Sequence, residues 1–123
     1  MAAIGDFRYK WNMVNDPDAP SETLGALAGD QDWIIRSAVA KNRNTLKETL
    51  RILAKDPDPM VRQGVASNPH TPEDVLHEMA NDRDLMVKLI VARNPSAKIE
   101  TVRQLAEDNN FTISKNATES GRV

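Results

Sequence analysis

Apolar positions recur along this chain in a two-part pattern. Val75, Leu76, Met79 and Ala80 fall at i, i+1, i+4 and i+5, the spacing of one helix face. A second cluster follows at Val87, Ile90 and Val91. Thr71-Pro72-Glu73-Asp74 reads as a helix start, with Thr71 as N-cap, Pro72 at the first helical position and Asp74 placed for a capping box. The spacing predicts a helix from there to about Asn81, then a second, shorter helix from near Asp84. One unit earlier that second helix starts with Asp58 as cap and Pro59 just inside. Asn68-Pro69 and Asn94-Pro95 should end the second helices, because the residue before proline avoids the α region. Strand patterns are nearly absent.

The pattern repeats every 26 residues. Asp30, Asp56, Asp82 and Asp108 keep this step, as do Leu24, Leu50, Leu76 and Val102. Ile35, Val61, Val87 and Ile113 keep it in the second half of the unit, and Asn42, Asn68 and Asn94 near its end. Agreement at so many positions identifies an internal repeat. The expected units are 16–41, 42–67, 68–93 and 94–119, the last degenerate because Ser114, Lys115, Asn116 and Thr118 replace Lys88, Leu89, Ile90 and Ala92. Residues 1–15 are read as a front cap and 120–123 as a polar tail, with the decay setting in from about Asn116. A pair of short helices cannot bury its own apolar stripe, whereas stacked neighbours can. The predicted fold is therefore all-α: a short α-solenoid of about four two-helix units.

The string from Asp56 to Leu76, with Val61-Arg62, Val65-Ala66, Asn68-Pro69 and Thr71-Pro72-Glu73, resembles the leucine-rich repeat variant family. This is a bacterial helical repeat akin to HEAT and armadillo arrays. The resemblance covers nearly all of residues 16–113. It implies a right-handed superhelix in which α-helices alternate with short α or 3₁₀ helices. It implies no chemistry. A family member carries a cysteine-ligated iron–sulfur module, but this chain has no cysteine, so no redox function carries over.

Composition narrows the classes further. The 123 residues carry 16 Lys and Arg against 18 Asp and Glu, a formal charge of -2, which argues against a strongly basic nucleic-acid or membrane binder. Zero cysteines exclude a disulfide scaffold, a thiolate zinc site and a cysteine nucleophile. No apolar run reaches the roughly 18 residues of a membrane span. Met1 to Asn15 lacks the apolar stretch of a signal peptide. A cytoplasmic protein is expected.

The repeated polar residues have a structural explanation. Asp56 and Arg62 lie six apart, like Asp30 and Arg36 or Asp82 and Lys88. Each pair would fasten a turn to a helix, with Asn42, Asn68 and Asn94 satisfying loop backbone groups. Function is better sought where units differ. Lys47, Arg51 and Lys55 fall at i, i+4 and i+8 on one helix face. With Arg36, Lys41 and Arg43 they give six basic side chains between 36 and 55 against one acid, Glu48. That ridge would engage an acidic protein surface or phosphates; the simpler alternative is an ordinary solvated face. Trp33, in the slot of Pro59, Leu85 and Phe111, would be an interface anchor or would be partly buried between units. Phe7, Tyr9 and Trp11, with Met13 and Val14, would cap the first unit, or would grip a partner or stack bases.

Enzyme signals are weak. His70 and His77, with Glu73 and Glu78, lack the i, i+4 His pair of helical zinc sites, and His77 reads as a surface residue. Gly25 and Gly29 read as packing and helix-end glycines. Asn116-Ala117-Thr118 spells a glycosylation acceptor and nothing more. No metal and no cofactor are expected. The expected function is a non-enzymatic protein-interaction module contacting its partner through Trp33, Lys41, Arg43, Lys47, Arg51 and Lys55. Nucleic-acid binding is the alternative, a DNA-modifying helical-repeat enzyme is more remote, and an exposed apolar end would permit self-association.

Overall fold

A computed structural model describes residues 6–122. Residues 1–5 of the expected front cap and Val123 of the expected tail lie outside the described residues. The described chain is helical throughout: α1 (Phe7–Val14), α2 (Ser21–Leu27), α3 (Trp33–Lys41), α4 (Lys47–Leu53), α5 (Pro59–Ser67), α6 (Glu73–Met79), α7 (Leu85–Arg93), α8 (Ile99–Ala106) and α9 (Phe111–Glu119). The closest approaches between units are made by the odd helices, which pack side by side from α1 to α9. Even helices pack on the odd helices beside them. The periodic apolar sets face inward: Leu24, Leu50, Leu76 and Val102 are fully buried, as are Ile35, Val61, Val87 and Ile113. Each such side chain contributes about 1.5–3 kcal/mol by leaving water.

The two helices of a unit differ in the opposite sense from that expected. The odd helices α3, α5, α7 and α9 have nine residues, while α2, α4 and α6 have seven. Both kinds are α-helices, with no 3₁₀ helix among the described residues. Capping explains the longer one. Asp6, Asp32, Asp58, Asp84 and Asn110 each accept a backbone N–H at the start of an odd helix, whereas the even helices begin at Pro20, Leu46, Pro72 and Lys98 without a side-chain cap. Asp58 and Pro59 play the parts expected of them. Thr71 does not. Pro72 occupies the N-cap position itself, and Thr71 donates its hydroxyl backward to Val65 O at 2.7 Å, a second donor to a carbonyl near the end of α5 that also accepts from Asn68 N. Thr45 does the same to Val39 O at 2.6 Å.

Two polar ladders tie the units together. Buried Asn68 donates to Ala40 O (2.9 Å) and Asn42 O (3.1 Å), and its amide oxygen accepts from His70 N (2.9 Å). Asn42 and Asn94 repeat this arrangement one unit earlier and later. The asparagines therefore satisfy loop backbone groups, as the sequence suggested. The charged pairs run differently. Arg62 Nη1 reaches the backbone carbonyl of Asp56 at 2.9 Å, while its bidentate partner is Asp82, 20 residues on, at 3.0 and 3.2 Å. Arg36 holds Asp56 in the same way, and Lys10 and Lys88 hold Asp30 and Asp108. These carboxylates also accept the N–H two residues ahead, shaping each turn. So the ion pairs join successive units, and only backbone contacts stay within one.

Both ends depart from the expected picture. Asp6, Phe7 and Lys10 precede Asp32, Trp33 and Arg36 by the 26-residue step, so α1 is one more odd helix in register. Val14, with Met13 behind it, covers the core there; Phe7, Tyr9 and Trp11 remain exposed. At the far end α9 continues through Asn116 to Glu119 with Ala117 fully buried, where decay into a tail was expected. Ser120 stands where an asparagine would continue the ladder, and Arg122 instead donates to Asn94 O and Ala97 O.

Candidate functional site

The odd-helix layer carries a row of exposed and half-buried apolar side chains. The first helical position holds Phe7, Trp33, Pro59, Leu85 and Phe111, and the second holds Ile34, Met60 and Met86 in the three central units. Phe111 is 76 % exposed, Leu85 52 % and Trp33 41 %. Their exposure follows from their place on the helix: the buried face is already filled by Ile35, Val61, Val87 and Ile113. The capping aspartates Asp32, Asp58 and Asp84 run alongside this row.

The row deepens between α1 and α3. A slot of about 150 Å³ opens between Trp11 and Trp33, floored by Ile34, Ala38 and Met60, with Lys41 at its edge. Trp11 is held by the stacked ring of Phe7, at 6.0 Å between centroids and 14° between planes. The slot adjoins a second concavity of about 250 Å³ that shares Asn15, Ala38 and Lys41 with it and adds Arg43. Of the expected contact residues, the fold thus brings Trp33, Lys41 and Arg43 together and adds Trp11 from the expected cap.

Lys47, Arg51 and Lys55 lie elsewhere, on and just after α4. The chain leaves α3 at Lys41, carries Arg43 in the turn at 42–46 and enters α4 at Lys47, so the basic ridge divides between the two layers. Arg51 Nη1 meets Asp74 at 2.5 Å. This hydrogen bond raises the guanidinium above its ordinary value and lowers the Asp74 carboxyl. Lys47 faces a polar hollow of about 500 Å³ with His70, Glu73, Lys98 and Arg122. Lys55 borders a shallow one of about 190 Å³ beside Glu78 and Asp82. Acidic neighbours therefore accompany this half of the ridge.

The remaining candidates resolve into structure. His77 is half-buried rather than a simple surface residue, its Nδ1 2.6 Å from Thr101 Oγ1 in the next unit. Among the described residues no group of three His, Asp or Glu side chains is placed to hold a metal ion. No helix there is long and apolar enough to cross a membrane. Asn116 is engaged with Arg93 and Thr112 O. Gly25 and Gly29 are exposed and uncrowded, and the glycine that packing requires is Gly64, where a Cβ would lie 2.9 Å from Ala40 Cβ and 3.1 Å from Ser37 O. Phe7 was read as a cap or partner contact and Leu85 as sharing the slot of Trp33, but their union with Met86 in one row was missed. Its signal was the place of Phe7 one period before Trp33.

Nine helices among the described residues, in a single repeating register and with side-chain ladders between neighbours, make this an all-α helical-repeat protein. Residues 59–84, one full period, match the model of the family described as leucine rich repeat variant. A solved structure described as a leucine-rich repeat variant with a novel repetitive protein structural motif is similar over 100% of this chain, at 29% sequence identity and a TM-score of 0.77. The match takes in 48% of that chain, so the present chain spans about half its length. No curated protein matches the sequence.

Proposed function

We propose that the chain is a non-enzymatic protein-interaction module whose contact surface is the odd-helix layer. The observation that carries this reading is the exposed row from Phe7 to Phe111, one or two large apolar side chains per unit at the same structural slot. Elongated apolar patches with aromatic and methionine side chains suit burial against a partner, and isolated exposed apolar residues do not. Trp33, Lys41 and Arg43 form the most structured part of the surface. Lys47 and Arg51 on α4 and Lys55 just after it form a second, peripheral contact that attracts an acidic partner without anchoring it.

Capture of proteins from nuclease-treated host lysate tests this. The triple variant Met60→Ser, Leu85→Ser, Met86→Ser should lose the captured proteins while keeping its helical signal. The triple reversal Lys47→Glu, Arg51→Glu, Lys55→Glu should weaken capture only in part. Capture unaffected by the first variant and abolished by the second would move the contact to α4. The nucleic-acid reading draws on Trp11 and Trp33 beside Lys41 and Arg43. Capture that disappears on nuclease treatment would favour it.

A further inference from the structure

The slot between α1 and α3 differs from the rest of the odd-helix face. Its volume, about 150 Å³, is below the roughly 300–1,000 Å³ of small-molecule sites. That space suits one bulky side chain. Its walls are held in place: Phe7 stacks on Trp11, Asn15 Nδ2 donates to Trp11 O at 2.8 Å, and Ser37 Oγ donates to Met60 O at 3.3 Å. The rim is cationic without compensation. No Asp or Glu lines the slot or the adjoining concavity, and neither Lys41 nor Arg43 forms an ion pair among the described residues. Asp16, close in sequence, directs its carboxylate to Asp18 N at 2.8 Å.

We propose that this groove receives a short acidic peptide segment, in which one bulky apolar side chain enters between Trp11 and Trp33 and neighbouring carboxylates pair with Lys41 and Arg43. The inference rests on reading the odd-helix layer as a contact surface, and it specifies what one part of that surface takes. Charge decides the occupant. At the first turns of the odd helices the face is edged by Asp32, Asp58 and Asp84, which would repel a phosphate backbone laid along the solenoid. A short acidic segment seated over the far end of α3 meets Lys41 and Arg43, at the opposite end of that helix from Asp32. The chain of causes runs from the repeat register, which places Trp11 beside Trp33, to a sequence difference between units. The slots of Lys41 and Arg43 hold Ser67 and Pro69 one unit later.

Trp11 and Trp33 are the only two tryptophans, so intrinsic fluorescence reports directly on the slot. The full chain is titrated with a capped peptide of sequence Gly-Leu-Glu-Glu-Gly, with versions carrying Lys for both Glu or Ala for Leu, and with an oligothymidylate. The acidic leucine peptide should shift the emission saturably below about 1 mM. The Ala and Lys versions should each bind at least about tenfold more weakly. Lys41→Glu with Arg43→Glu should weaken binding by a similar factor while circular dichroism stays native, since both side chains are exposed. Lys41→Ala with Arg43→Ala provides a milder version of the same loss. No saturable shift, equal binding of the Lys peptide, an unchanged affinity in both double variants, or tighter binding of the oligothymidylate would each overturn the proposal. A silent titration alongside lost capture by the Met60, Leu85 and Met86 variant would remove the acidic slot and leave the contact surface standing. A positive titration with unaffected capture would do the reverse.

Discussion

Replacing Asn68 with alanine should be among the most damaging single changes in the molecule. The side chain is 2 % exposed and spans two units, donating to Ala40 O and Asn42 O and accepting from His70 N. Asn42 O keeps a second partner in Thr45 N at 3.2 Å. Ala40 O and His70 N–H have no replacement apparent among the described residues. Ala40 O, left unpaired in a buried site, costs about 1–3 kcal/mol, and loss of the other two bonds adds about 1 kcal/mol each, His70 being exposed. The expected destabilisation is about 3–5 kcal/mol, a large part of the roughly 5–15 kcal/mol typical of a folded domain. At this chain length that corresponds to a fall of about 10–20 °C in Tm. Urea and thermal unfolding followed by circular dichroism measure it, with exposed Asn81→Ala as the control expected to move by less than about 0.5 kcal/mol. A loss below about 1 kcal/mol for Asn68→Ala would refute the assignment of the asparagine ladder as the element that locks units in register.

Other outcomes follow from the same contacts. Arg62→Ala removes the partner of Asp82 from a nearly dry site and should cost about 3–5 kcal/mol, whereas Arg51→Ala, at an exposed pair, should leave the urea midpoint unchanged. The Asp30 carboxyl is held below its ordinary value of 3.8, chiefly by the hydrogen bond from Lys10 and then by the Asp32 amide. A lowered folded-state value means stability that is present above the unfolded value and lost as pH falls through the folded one. Lys10→Met should therefore be less stable than the parent at pH 7, and the gap should close below about pH 4 in an acid titration. Gly25→Ala should stabilise by about 0.5–1 kcal/mol, because its added Cβ meets nothing closer than Thr49 Oγ1 at 3.9 Å. Gly64→Ala should instead lower the thermal midpoint, since overpacking against Ala40 and the Ser37 carbonyl costs about 1–3 kcal/mol and outweighs the helical gain.

How far the sequence was legible depended on whether a residue's partner was local. Helix identity and the buried sets were plain, since Leu24, Ile35 and their repeats alternate at helical spacing. The odd-helix ends were found at Asn68 and Asn94 for an incomplete reason. Asn42 ends α3 with the same extended geometry (φ -74, ψ 131) although Arg43, not proline, follows it. The side-chain ladder imposes that ending, and proline only suits it. Pairing was ambiguous in principle: Arg36 and Arg62 each have one aspartate six residues behind and another 20 ahead, and periodic spacing cannot say which carboxylate they face. Thr71 looked like a cap by its position before Pro72. Its hydroxyl turns the other way, to Val65 O at the end of α5, as a second donor beside Asn68 N. The groove depended on α1 sitting in register with α3, and Lys41 and Arg43 parted from Lys47, Arg51 and Lys55 because the turn at 42–46 starts a helix of the other layer.

The central claim is that a protein partner lies on the odd-helix layer. Site-specific photocrosslinking tests it most directly, with benzoylphenylalanine placed in turn at Met60, on that layer, and at Ile52, which is 72 % exposed on α4. In nuclease-treated host lysate, discrete protein adducts should form from position 60 and not from position 52. Adducts from position 52 alone would contradict the account.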